Sequence, residues 1–322
     1  MTRRVFSSGI ITAAIAAAVF GYVILTGLPR TSSSEGGDSS VIPLFTKGEL
    51  MEIPVVHREI DIPINADTFI DPARPDAVAT TGTPFVGTPI AGVVNHHTLA
   101  SDLIDRFFRT LRASRPVVRR FVIIAPDHFR AGTDAVTVGN VAYFSRGTVI
   151  RSDADAVAAL VSDRRASMGE REIFEQEHGV AALIPSLART YPDATILPVL
   201  VRGDVPRERM DALGASLADF IADGRTFILI SSDMSHELTE AEALRNDAET
   251  GRHLASLDRA WFASVGDDHT DSGPAFVALT AMFGATETTP MFGVVDHSVS
   301  SRYNGDRNYV TSYLTGLWSI SL

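Results

Sequence analysis

Four apolar runs of this chain end alike, and no other feature constrains its fold as strongly. Phe227–Ile230 runs into Ser231-Ser232-Asp233-Met234-Ser235-His236, and Ile90–Val94 runs into Asn95-His96-His97. Phe121–Ile124 runs into Ala125-Pro126-Asp127-His128, and Phe292–Val295 into Asp296-His297. A short apolar run with polar boundaries reads as a fully buried strand. In open α/β sheets, ligands and reacting groups sit outside the carboxyl ends of the strands. Four strands delivering His and Asp to one rim would make a metal or acid–base site.

Between these strands the pattern turns helical. Leu103, Phe107 and Leu111 recur at helical spacing, and Met210, Leu213, Leu217, Phe220 and Ile221 form an apolar stripe after Pro206. Helices are also expected over Asp153–Val161, Glu240–Leu257 and Pro274–Phe283. Ala135–Val149 reads as short strands with turns, and Tyr309–Trp318 as a closing strand. Thr195–Val201 is an apolar strand whose Pro198 argues for an edge or a bulge. Ile53–Ile64 reads as an edge hairpin or an arm on the domain. Alternating strands and helices predict an α/β fold with a mixed, mostly parallel sheet covered by helices on both faces.

The N-terminus reads differently. Arg3 and Arg4 precede an uncharged apolar run over residues 9–28, roughly the 20 residues that a membrane-spanning helix needs. Such a run exceeds the core of a cleavable signal peptide, and no small-residue cleavage site follows. The expected organisation is a cytoplasmic stretch 1–8, a transmembrane signal-anchor 9–28, a polar linker 29–50 and the α/β domain 51–322. The positive-inside rule places the domain outside the cytoplasm.

With no Cys in the chain, disulfides, thiolate nucleophiles and Cys-ligated metals are excluded. Any metal must be held by His, Asp, Glu or weaker oxygen ligands. The net charge of −11 argues against a broad nucleic-acid footprint. The candidates for chemistry are His96, His97, His128, Glu177, His178, Asp233, His236 and Asp271. Each has an ordinary reading as well. Asp233 suits the N-cap of a helix starting at Met234. Glu177-His178 suits a surface turn, and Asp271-Ser272-Gly273-Pro274 is a turn by composition. His57, His253 and His297 have no context beyond structure or surface. No phosphate-binding glycine loop, nucleophile elbow or HExxH motif is present.

In order, the segments GVVNHH, VIIAPDHF, EQEHG, ILPVLV, ISSDMSH, TDSG and TSYLTG resemble the motifs of the Memo-like proteins, the AmmeMemoRadiSam system protein B group. The resemblance covers residues 88–318. That family is similar to the class III extradiol (LigB-like) dioxygenases, whose α/β sheet carries a non-haem Fe(II) site at one rim. The resemblance implies that His96 and His128 are metal ligands. The family's third ligand is a Cys, at whose position Ser272 stands, preceded by Asp271. Asp271 would complete a two-His-one-carboxylate triad suited to Fe(II); Ser272 is the substitute. It also implies that His236 moves protons, with Asp233 orienting it, and that Glu177, His178 and His97 support the ligands from behind. Departures are Asn95 for Pro, His97-Thr98 for Ala-Gly and Gly179 for Ser. The implied function is a dioxygenase-like oxidoreductase using iron, with copper or zinc as other metals, on an unidentified small molecule. A non-catalytic binding module and a metal-dependent hydrolase stand as alternatives.

Overall fold

A computed structural model describes residues 55–59 and 87–321. The expected membrane segment, the linker and the rest of the 53–64 arm lie outside the described residues. Among the described residues no helix is long and apolar enough to cross a membrane.

The strands are β1 Val55–Glu59, β2 Thr88–Val94, β3 Arg120–Pro126, β4 Val136–Val138, β5 Ala142–Ser145, β6 Thr148–Arg151, β7 Ser167–Met168, β8 Thr195–Val201, β9 Thr226–Ser231, β10 Met291–Val299 and β11 Ser312–Ile320. The helices are α1 Ser101–Ser114, α2 Ala154–Ser162, α3 Arg171–Gln176, α4 His178–Ala181, α5 Ile184–Thr190, α6 Arg207–Ile221, α7 Glu240–Ser256, α8 Arg259–Phe262, α9 Gly273–Ala285 and α10 Ser301–Asn304. Eight strands form the main sheet in the order β10-β11-β2-β9-β3-β8-β4-β7. Its centre, β2-β9-β3-β8, is parallel, while β11 and β4 flank it antiparallel. A smaller sheet joins β1, β5 and β6.

Alternation along the central strands builds two cores. Val122, Ile124, Leu197, Val199, Ile228 and Ile230 face α2, α6 and α9. Phe121, Ile123, Ile196, Phe227 and Leu229 face α1 and α5. The strands are therefore buried on both faces, which is why they read as continuous apolar runs. Each fully buried large side chain contributes about 2 kcal/mol of burial. Gly92 lets α1 close onto β2, because a Cβ there would come within 2.7 Å of the Phe107 ring.

Two expectations need correction. Pro198 sits in an inner strand, paired with Ile123 of β3 on one side. Gly139 N–H donates to its carbonyl at 3.4 Å, and the Gly139 carbonyl opposite the proline nitrogen accepts from Ser152 Oγ at 2.9 Å, so the missing N–H of proline leaves no acceptor unpaired. Asp296-His297 does not follow a strand but lies inside β10, which runs on to Val299 at the sheet edge. The fourth apolar run therefore delivers nothing to the shared rim.

Candidate metal centre

Because β9 lies between β2 and β3, the three segments that leave these strands are neighbours in space. Each carries one imidazole to the same place. Asp271 arrives from the turn before α9, whose backbone N–H reaches the Asp233 carbonyl at 3.4 Å. Its Oδ2 lies 3.2 Å from His96 Nε2, 3.8 Å from His128 Nε2 and 3.9 Å from His236 Nε2. Asp271 Oδ1 accepts hydrogen bonds from Ser232 Oγ and Ser272 Oγ at 2.9 and 3.0 Å. Oδ2 is buried and has no hydrogen-bond partner.

Partners behind the rings fix which nitrogen faces the centre. Ser231 Oγ donates its single proton to the Gly179 carbonyl at 2.5 Å. It must therefore accept at 3.0 Å from His96 Nδ1–H, leaving the lone pair of neutral His96 on Nε2. His128 Nδ1 donates to Glu177 Oε1 at 2.7 Å, so its Nε2 is likewise free. Glu177 is itself held by the backbone N–H groups of His128 and Gly179. An imidazole whose far nitrogen is tied to a carboxylate or hydroxyl is the usual arrangement of a metal-bound histidine. Two free Nε2 lone pairs and an orphaned carboxylate oxygen thus fit a divalent cation.

Without a metal, protons take its place. Burial pushes His96 down, but Asp233 and Asp271 beside it outweigh burial and hold its pKa above the ordinary value. Burial also opposes His128, yet Asp271 and Glu177 raise it to about 10. Burial alone would lift Asp271; the charges of His96, His128 and His236 hold it far below the usual carboxylate range. His178 behaves oppositely: burial and then the charge of His128 push it down to about 4.

The remaining candidates fall into place around this point. His178 stacks on His128, with ring centroids 4.1 Å apart, and lies edge-on to His96 at 5.2 Å. Ligand atoms of His96, His128 and His178 all lie within 4.8 Å of one another, as do those of His96, Asp233 and Asp271. His178 is therefore close enough to be a ligand, not merely a partner behind one. Ser272 directs its hydroxyl to the Ser231 carbonyl and Asp271 Oδ1, where it supports the carboxylate. Asp233 caps no helix at Met234; the next helix starts at Glu240 under a Thr239–Glu242 capping box. Its Oδ1 instead accepts from the backbone N–H of His96 at 3.0 Å and of His97 at 3.4 Å. Asp233 thus anchors the turn after β2, and among the described residues its carboxylate accepts no hydrogen bond from the His236 ring. His97 Nδ1 lies 2.7 Å from the Tyr313 hydroxyl.

Sequence reading missed Ser231, Tyr313 and Asp247. Ser231 was legible as the last residue of a buried strand, but its bond to His96 spans 135 positions. Asp247, on α7, accepts from Ser235 Oγ at 3.0 Å and Ser312 Oγ at 2.6 Å, and pairs with His297 Nε2 at 2.6 Å. It ties the Ser235–His236 segment to β10 and β11, and explains where His297 goes.

The chain is similar to known proteins over part of its length. A MEMO1 family protein of Nitrosopumilus maritimus (strain SCM1) is 21% identical over 195 residues, covering 60% of this chain and 70% of that protein. A MEMO1 family protein of Aquifex aeolicus (strain VF5) is 26% identical over 205 residues, covering 62% and 74%. The crystal structure of uncharacterized protein JW3007 from Escherichia coli K12 aligns over 70% of this chain and 99% of its own, at 12% identity and a TM-score of 0.49. A family model described as Memo-like protein matches residues 96–317, a span that opens on His96 itself and contains every residue of the cluster, and the chain belongs to that family.

Proposed function

We propose that His96, His128 and Asp271 hold one divalent metal ion, iron(II) foremost with copper next, and that the protein is a dioxygenase-like oxidoreductase acting on a small molecule. The observation that carries this reading is the buried Asp271 Oδ2, which has no hydrogen bond and faces three imidazole Nε2 atoms at 3.2–3.9 Å. Two imidazoles and one carboxylate leave further positions open and suit iron(II). The bound metal would supply the redox chemistry. His236 Nε2, on the same carboxylate oxygen, is placed to carry a proton to or from a substrate there. Asp233 serves by fixing the His96-His97 backbone.

A second reading has its own support. The grouping of His96, His128 and His178 is a three-histidine set of the kind that holds catalytic zinc and activates water. That would make the protein a metal-dependent hydrolase.

The test is the metal content of the 41–322 fragment purified without oxygen, beside its His128→Ala variant. Near-stoichiometric iron or copper, lost in the variant, supports the redox reading. Zinc alone moves the conclusion to the hydrolase. Failure to take up Fe(II), Cu or Zn(II) leaves a non-catalytic binding module on the same fold. We also propose that residues 9–28 anchor the chain in a membrane with the domain outside the cytoplasm. Recovery of the full-length protein in the soluble fraction would refute this.

A further inference from the structure

A second group of histidines involves the loop that leads into Asp271. Glu249 and His253 stand one turn apart on α7, and His269 comes from the loop between α8 and α9. His253 Nε2 is 3.8 Å from Glu249 Oε1, and His269 Nε2 is 3.6 Å from Glu249 Oε2. Both gaps are too long for a hydrogen bond. They are close to the spacing of two ligands on one ion, about 3.4 Å when each sits about 2.1 Å from a tetrahedral metal. His269 Nε2 is buried and has no hydrogen-bond partner. The other nitrogens are engaged. His253 Nδ1 donates to Asp258 Oδ2 at 3.1 Å, and His269 Nδ1 lies 3.2 Å from Asp268 Oδ1. A carboxylate beside Nδ1 keeps the hydrogen there and leaves the Nε2 lone pair facing forward, as in metal-bound histidines. Two lone pairs then face one carboxylate, and these repel one another unless positive charge lies between them. One indole braces both rings. Trp261 of α8 stacks on His253, with centroids 4.2 Å apart and planes 8° apart, and meets His269 edge-on at 5.3 Å. The backbone of the loop is seated as well. Asn246 of α7 donates to the Asp268 carbonyl at 2.8 Å, and the Asp267 carbonyl accepts from His236 N–H at 3.0 Å.

We propose that Glu249, His253 and His269 form a second metal site, for zinc or a similar divalent ion, and that the ion clamps the loop leading to Asp271 onto α7. Two imidazoles and one carboxylate suit zinc, whereas calcium and magnesium take oxygen ligands. The site shares no residue with the rim cluster and does not depend on it. Among the described residues only the two rim sets have ligand atoms all within 4.8 Å of one another. The half-exposed Glu249 side chain must therefore turn inward with the imidazoles to close this site, and the ion is held more weakly than at the rim.

The probe is Co(II), which accepts the tetrahedral geometry of zinc and quenches indole emission at short range. It is titrated into the full-length protein carrying His128→Ala, which breaks the rim set. Trp261 packs on both imidazoles, and the chain has one other tryptophan, Trp318. Emission is expected to fall in one saturable step, with one ion bound by equilibrium dialysis and displaced by Zn(II). Adding His253→Ala or His269→Ala should weaken that step at least about tenfold. Glu249→Gln should weaken it as much, and because it keeps the shape of a half-exposed side chain, that loss is not one of folding. The absence of a saturable step in the His128→Ala protein overturns the proposal. So does a step that survives all three further substitutions, because the ion then sits elsewhere. A single ion that wild type and His128→Ala hold alike, and that His253→Ala releases, supports this site while refuting the rim reading.

Discussion

Asp247 and Asp271 both stand among histidines, and they differ in one respect. Asp247 is saturated: Ser235, Ser312 and His297 all reach its oxygens at 2.6–3.0 Å. Asp271 is saturated at Oδ1 and empty-handed at Oδ2, although three imidazoles stand within 3.9 Å. A buried charge without good hydrogen bonds costs several kcal/mol and persists where something else compensates it. Composition alone would score both groups alike. Satisfaction separates them: the first braces a loop, and the second awaits a cation or protons.

The largest expected effect comes from breaking the unsatisfied side. His96→Ala, His128→Ala or Asp271→Ala should each lower metal affinity by more than about 100-fold, because even partners behind ligands are worth about 10–100-fold. Metal analysis after dialysis checks this, and full occupancy in any of the three would remove that residue from the ligand set. The same change on the satisfied side should act on stability alone. Asp247→Ala strips the acceptor from two hydroxyls and one imidazole and is expected to cost about 3–5 kcal/mol. Denaturant unfolding measures the loss, and the refolded variant should still bind metal.

Glu177→Gln leaves the three proposed ligands in place but removes the charge behind His128. Metal affinity should fall about 10–100-fold while the fold is kept. An unchanged affinity would mean that Glu177 supports the turn and not the ligand.

The protons at the metal-free centre predict a pH dependence. His128 has an ordinary value of 6.5 and is raised to about 10 in the folded protein. A proton bound more tightly by the folded state stabilises it fully below the unfolded value, and this contribution is lost as pH rises through the folded one. The melting temperature of the metal-free protein should therefore fall between about pH 6.5 and 10, and His128→Gln should flatten that slope. Metal affinity should rise over the same window, because the ion displaces that proton. The smallest effect is expected at Ser272→Ala, about 1 kcal/mol in stability with metal content unchanged. Lost metal there would make the serine a ligand after all.

How much of this was legible before folding depends on the range of each contact. The strands before His96, His128 and His236 could be read because a doubly covered parallel sheet demands continuous apolar runs, and their carboxyl ends are where side chains become free. Asp296-His297 carried the same local signal and misled, because pairing with β11 extends β10 through them. The same limit applies to Pro198, which is tolerated in an inner strand because Ser152 Oγ supplies the hydrogen that the Gly139 carbonyl opposite it would otherwise lack. Glu177 and His178 were legible as a pair, but not which of them would hold His128 and which would stack on it.

The sequence by itself determined the chemistry available: imidazoles, carboxylates and hydroxyls with no thiol, set after buried strands in a Memo-like order. Tertiary structure alone decided which of those groups lack a partner. Whether a carboxylate oxygen is satisfied depends on side-chain directions and contacts across many positions, such as 65 between Asp247 and Ser312 or 216 between His97 and Tyr313. Such distances close only when the whole sheet forms, so no local pattern can encode them.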